Sequence, residues 1–103
     1  MDELTRLWQM HLEAKYPDGN RGKEVAGIEL ILLDADIAGC VSTYLAEGGR
    51  LDLQRTAILG RCYRDAAVVV SELPSPARDY FARLEGMAAV VLEALSAAKP
   101  PAL

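Results

Sequence analysis

Residues 27–40 read GIELILLDADIAGC, an aliphatic run that leads into two carboxylates, Asp34 and Asp36. This stretch decides the fold because two interpretations compete for it. As a buried β-strand it would present both carboxylates of a D-x-D pair on the same face. As part of a longer helix it would turn the two side chains in different directions around the helix axis.

The strand interpretation carries a family resemblance. LILLDADIAG, at residues 30–39, resembles the first motif of haloacid-dehalogenase-type phosphotransferases, in which an apolar strand ends in D-x-D. The resemblance implies a nucleophilic Asp34 and an acid/base Asp36 beside magnesium. It ends at Ile37 and Ala38, where that family has a glycine and a hydroxyl residue, and 103 residues leave no room for its larger α/β domain. We therefore favour the helix.

Turn-forming residues divide the chain into four segments of helical length. PDGN at 17–20, GG at 48–49 and PSP at 74–76 are the turn signals. Apolar periodicity predicts helices at about 3–16, 24–47, 53–73 and 76–98, and the third continues through a strand-favouring Val triplet at 68–70. Asp2, Asp52 and Ser75 are the expected N-caps. We predict an all-α, up-down-up-down antiparallel four-helix bundle, with one domain over 1–98 and a frayed tail at 99–103.

The second predicted helix has few polar positions. On a wheel of about 100° per residue, Asp34 lies among apolar side chains, nearly opposite a narrow arc that we expect to face solvent: Glu29, Asp36, Thr43 and Glu47. Such a helix needs burial on nearly all sides, so it is either central in the bundle or meets another subunit. We expect a homodimer, or another protein partner, through an apolar face with three interface candidates: Ile37, Val41 and Leu45.

Three polar residues, His11, Asp34 and Arg55, interrupt otherwise apolar helix faces. A buried carboxylate needs a partner, and antiparallel packing places Asp34 within reach of Arg61 or Arg64. His11 is offset from Asp34 by roughly 7–8 Å along the helices, so we expect an arginine ion pair instead of a histidine contact. The other interpretation is a small-ligand pocket in the bundle, with four candidates: His11, Asp34, Arg55 and Tyr44.

Composition and motifs exclude several function classes. The net charge of −4 argues against nucleic acid or an anionic membrane as partner, and no apolar run is long enough to span a bilayer. Without a secretory signal we expect the cytoplasm, with Cys40 and Cys62 reduced. The spacing of cysteine and histidine predicts no metal site, and no motif predicts a cofactor.

One loop has the composition of an anion site. Residues 19–23, GNRGK, place Arg21 and Lys23 before the expected start of the second helix, where free backbone amides can bind phosphate. No catalytic constellation is evident anywhere in the chain. The sequence therefore favours a non-catalytic interaction or regulatory module that works through an apolar helix face, with small-ligand binding or a minor enzyme activity as the alternative.

Overall fold

The computed structural model describes residues 2–98, most of which are helical. Four helices pack together: α1 (Glu3–Glu13), α2 (Leu30–Ala46), α3 (Leu53–Glu72) and α4 (Ala77–Ala98). Two short strands, β1 (Glu24–Val25) and β2 (Ile28–Glu29), precede α2. The all-α, four-helix prediction is confirmed, whereas the predicted tail at 99–103 lies outside the described residues. Within the described part, no helix combines the length and apolar character that a bilayer span requires.

Two of the predicted N-caps form. The carboxylate of Asp2 accepts a hydrogen bond from the backbone N–H of Thr5 at 2.8 Å, and Asp52 accepts one from the N–H of Arg55 at 2.8 Å. Each bond satisfies a backbone donor that the first helical turn leaves free. At the fourth helix, the Ser75 hydroxyl instead lies 3.3 Å from the Asp79 carboxylate, and α4 begins at residue 77.

The segment before α2 differs from the prediction. Residues 24–29, expected to be helical, form an antiparallel hairpin in which Val25 pairs with Ile28. Its two turn residues, Ala26 and Gly27, have φ of 52° and 79°, values that end a right-handed helix and suit a tight hairpin turn. α2 therefore begins at Leu30, and α1 ends at Glu13, ahead of Pro17. The whole stretch between them is a long connection.

α4 is the central helix of the fold. It packs against α1, α2 and α3, most extensively against α3. Its buried side chains are Ala77, Tyr80, Phe81, Leu84, Met87, Ala88 and Val91. α2 packs against α3 and α4, so it is not the central helix that one of the two sequence interpretations required. α3 runs unbroken through the Val triplet at 68–70, as predicted.

Candidate functional site

The carboxylate of Asp34 joins three helices. The Tyr80 hydroxyl of α4 donates to Asp34 Oδ2 at 2.6 Å, and His11 Nε2 of α1 lies 3.2 Å from Asp34 Oδ1. The side chains of His11 and Asp34 are only 9% and 17% exposed. The expectation of an arginine partner was wrong, because α1 packs on α4 and His11 and Tyr80 together occupy both carboxylate oxygens of Asp34.

Aromatic rings surround this junction. The His11 ring stacks against Trp8 with centroids 5.8 Å apart and meets Tyr80 at 5.2 Å. Tyr16 approaches Tyr80 edge-on at 5.5 Å. Burial, followed by the hydrogen bond to Asp34 and its charge, raises the pKa of Tyr80, and burial together with the Asp34 charge raises the pKa of Tyr16. Both phenols therefore stay protonated and act as hydrogen-bond donors, not as bases.

The polar groups of this junction mostly bind one another. Both carboxylate oxygens of Asp34 are engaged, and His11 Nδ1 is buried without a hydrogen-bond partner. The nearest groove, about 330 Å³ between the start of α4 and the loop after α1, is lined by Tyr16 and Tyr80 but not by His11 or Asp34. Within residues 2–98, no three metal-ligating side chains lie together. The arrangement suits a structural network that connects α1, α2 and α4.

The other two pocket candidates lie elsewhere. Arg55 forms an ion pair with Asp52 in the first turn of α3 and is about half exposed. Tyr44 lines a separate groove of about 560 Å³ between α1, the end of α2 and α4, together with Leu45 and Val90. The structure therefore brings His11 and Asp34 together and separates them from Arg55 and Tyr44.

The predicted anion loop, residues 19–23, is followed directly by the β1–β2 hairpin and not by a helix. Arg21 and Lys23 are exposed, but the chain continues into β1 and not into a helix. α2 starts at Leu30, seven residues after Lys23, and its N-cap is the acidic Glu29, which repels an anion from the amides of the first turn. The hairpin nevertheless returns the chain to the end of this loop, where the Lys23 carbonyl oxygen accepts a hydrogen bond from the Leu30 N–H at 3.1 Å.

α2 turns a different apolar face outward from the one predicted. Ile37 and Val41 are fully buried in the core of the single chain, and Leu45 packs partly buried against it, so the first two offer no surface to a partner. Asp36 is half-buried on the side next to α3, beside Arg61 and Asp65.

The exposed residues of α2 recur at helical spacing and fall within an arc of about 100°. We call them the outer face of α2: Ile31, Leu32, Ala35, Gly39, Ser42 and Ala46.

Gly39 is the mid-helix residue of this outer face. A Cβ added there would meet nothing within 4 Å, whereas at Gly60 and Gly86 it would be about 3.9 and 4.0 Å from side chains of Arg64 and Leu7. Glycine in a helix interior costs about 0.5–1 kcal/mol relative to alanine. Within residues 2–98, no contact requires a glycine at this position.

The two cysteines lie inside the fold as free thiols. Cys40 on the inner side of α2 and Cys62 on α3 are both buried. Burial, with a contribution from the charge of Asp36, raises the pKa of Cys40 and raises that of Cys62 to about 11. Because the thiolate is the reactive form, neither cysteine is suited to act as a nucleophile at neutral pH.

Sequence reasoning did not single out Tyr80 as a partner of Asp34. Tyr80 lies on the buried face of α4, and the signal that could have identified it is its hydroxyl, which needs a partner when the ring is buried. Comparison of the chain with models of known protein families, with curated proteins and with solved structures finds no match.

Proposed function

We propose that this protein is a non-catalytic interaction module that forms a homodimer through the outer face of α2. One observation carries the proposal: the outer face extends for about 22 Å and contains no ionisable side chain. The outward sides of the other helices are charged, for example at Arg6 on α1, Arg64 on α3 and Glu93 on α4. A solvent-facing helix surface normally carries such charges.

A second copy of the chain is the simplest partner for this face. Closed twofold dimers are the commonest assemblies of soluble proteins, and an uncharged helix face can meet its own copy without burying a charge. Ile31 and Leu32 are 37% and 56% exposed, which leaves apolar area for a partner to cover.

The proposal includes the up-down-up-down arrangement of the helices. Its support is the short connections at residues 47–52 and 73–76, because short loops make consecutive helices antiparallel. It also includes a cytoplasmic location, which the two free thiols support. Ligand binding at Asp34 and His11 is not proposed further, since both side chains already bind within the protein.

Sedimentation velocity at micromolar concentration tests the dimer. We expect a species of twice the 11.2 kDa chain mass for the unmodified protein. Ala35→Glu places a charge on the outer face of α2 and should yield a monomer with unchanged helical content. Ala67→Glu is the matched control, because Ala67 is an exposed alanine within α3, and this variant should remain dimeric. A monomeric unmodified protein, or equal effects of the two substitutions, would contradict the proposal.

A further inference from the structure

We propose that the second copy docks antiparallel on the outer face of α2, with the two helices closest at Gly39. This inference rests on the proposed function and specifies how the partner sits on that surface. In this arrangement the twofold axis crosses the helix pair near residues 38 and 39. Residue 35 then faces residue 42 of the partner, and residue 31 faces residue 46.

The distribution of side-chain size along the outer face supports the antiparallel orientation. The two large side chains, Ile31 and Leu32, lie in the first turn of α2, whereas Ser42 and Ala46 at the other end are small. An antiparallel partner sets large side chains against small ones at both ends. A parallel partner would set Ile31 against its own copy and leave a gap between the two copies of Ala46. Close packing at an interface favours the first arrangement.

Gly39 lies at the centre of this self-complementary pattern. Among the described residues, no atom lies within 4 Å of the place where its Cβ would be, so no contact there requires the absence of a side chain. A glycine at the crossing point allows two helix backbones to approach more closely than any larger residue does. The proposed axis passes beside the one position of α2 that has no side chain.

The charges at the two ends of α2 are also complementary in this orientation. Glu29 precedes the helix and lies next to α3, in a groove that Arg61 and Asp65 also line. Arg50 follows the helix, again on the side of α3, and its Nε donates only to the Glu47 carbonyl oxygen at 3.5 Å. Neither Glu29 nor Arg50 has an ion-pair partner within residues 2–98. The antiparallel axis places Glu29 near Arg50 of the partner at both ends, whereas a parallel axis places the two copies of Glu29 at the same level but on opposite sides of the helix pair, where neither meets Arg50.

Disulfide cross-linking between two single variants tests the orientation. Ala35→Cys and Ser42→Cys are mixed, allowed to exchange subunits and mildly oxidised. A disulfide requires Cα atoms about 4.4–6.8 Å apart. In the antiparallel pair residue 35 meets residue 42 of the partner, while two copies of residue 35 are displaced by roughly 10 Å along the axis. We expect a cross-linked dimer from the mixture and almost none from either variant alone.

The controls separate failure of the orientation from failure of the dimer. The unmodified protein should not cross-link, because Cys40 and Cys62 are buried. Cross-linking within each single variant would overturn the antiparallel orientation in favour of a parallel one. A dimer by sedimentation that gives no cross-link in the mixture would place the interface elsewhere and also overturn the inference. A chain that sediments as a monomer would exclude a second copy as the occupant and remove both proposals.

A second variant tests the close contact at Gly39 directly. Within residues 2–98, a Cβ at position 39 would meet no atom within 4 Å and the position is exposed, so Gly39→Leu should keep the fold with at least unmodified helicity. It should raise the dimer dissociation constant at least tenfold by sedimentation, because the leucine side chain separates the two backbones. The control Ala67→Leu, at an exposed position of α3, should leave the constant unchanged. Unimpaired dimerisation of Gly39→Leu would overturn the close approach at this residue.

Discussion

Apart from Asp34 on the inner side, the inner and outer sides of α2 are both uncharged, but their surroundings are opposite. On the inner side, Leu30, Ile37 and Val41 are completely buried by α3 and α4. On the outer side, Ala35 and Gly39 are exposed and equally free of charge. α4 is also largely apolar, but it has neighbours on three sides. A low polar content therefore predicts how much burial a helix needs, while the position of the helix in the fold decides whether the chain itself provides that burial.

The largest expected effect comes from the inner side. Asp34→Ala removes the acceptor of the Tyr80 hydroxyl and the partner of His11, and leaves both groups mostly buried without a replacement. We expect the free energy of unfolding to fall by about 2–4 kcal/mol. Urea denaturation at neutral pH measures it, with both proteins at the same concentration because a dimer stabilises its folded chains.

Asp34→Asn is the matched control for that experiment. The amide oxygen can still accept the bond from Tyr80 while the charge is lost, so the loss of stability should be smaller than for Asp34→Ala. An Asp34→Ala variant as stable as the unmodified protein would contradict a structural role for the junction. The inner side of α2 would then owe its stability to its apolar contacts alone.

The dependence of stability on pH tests the burial of the Cys62 thiol on α3. The pKa of the Cys62 thiol rises from 9.0 to about 11 on folding, chiefly through burial. The folded state therefore keeps this proton longer than the unfolded state. The stabilisation is complete below pH 9 and is lost as the pH rises towards 11. We expect a loss of about 2–3 kcal/mol from this group over that interval.

The variant Cys62→Ala identifies the group responsible. It should be less stable at neutral pH because it leaves a small cavity, but its stability should fall less steeply between pH 9 and 11. A smaller fall remains, since the pKa values of Cys40 and Tyr80 are also raised in the folded protein. Denaturation curves at several pH values measure the slope, and an unchanged slope in Cys62→Ala would contradict this assignment.

Much of the helical framework could be predicted from sequence because each signal acts locally. The carboxylates of Asp2 and Asp52 cap the helices that follow them, and the periodicity of the third helix outweighs the strand preference of its valines. The buried position of Asp34 followed from the same periodicity. Its partners did not, because they depend on where α1 settles after a long connection, and no local pattern specifies that placement.

The outward side of α2 was harder to predict for a physical reason. Asp36 and Thr43 mark the most polar arc of the wheel, yet both are half-buried on the flank next to α3. A charged side chain can reach water from the edge of a helix contact, so it does not need the most exposed position. Small residues such as Ala35 and Gly39 tolerate either environment. A helical wheel therefore separates polar from apolar residues, but it does not show which apolar residues other helices of the chain bury.

The smallest expected effect separates the two carboxylates with which the D-x-D interpretation began. Asp36→Asn removes a charge that has no ion-pair partner within residues 2–98, so the free energy of unfolding at pH 7 should change by no more than about 0.5 kcal/mol. The same charge contributes to the raised pKa of Cys62. Asp36→Asn should therefore flatten the loss of stability between pH 9 and 11 slightly, although it leaves neutral stability intact. Denaturation at both pH values checks this, and a large loss at pH 7 would give Asp36 a structural role comparable to that of Asp34. The two carboxylates therefore act at separate places on α2. Asp34 lies at the junction with α1 and α4, and Asp36 lies at the edge of α3.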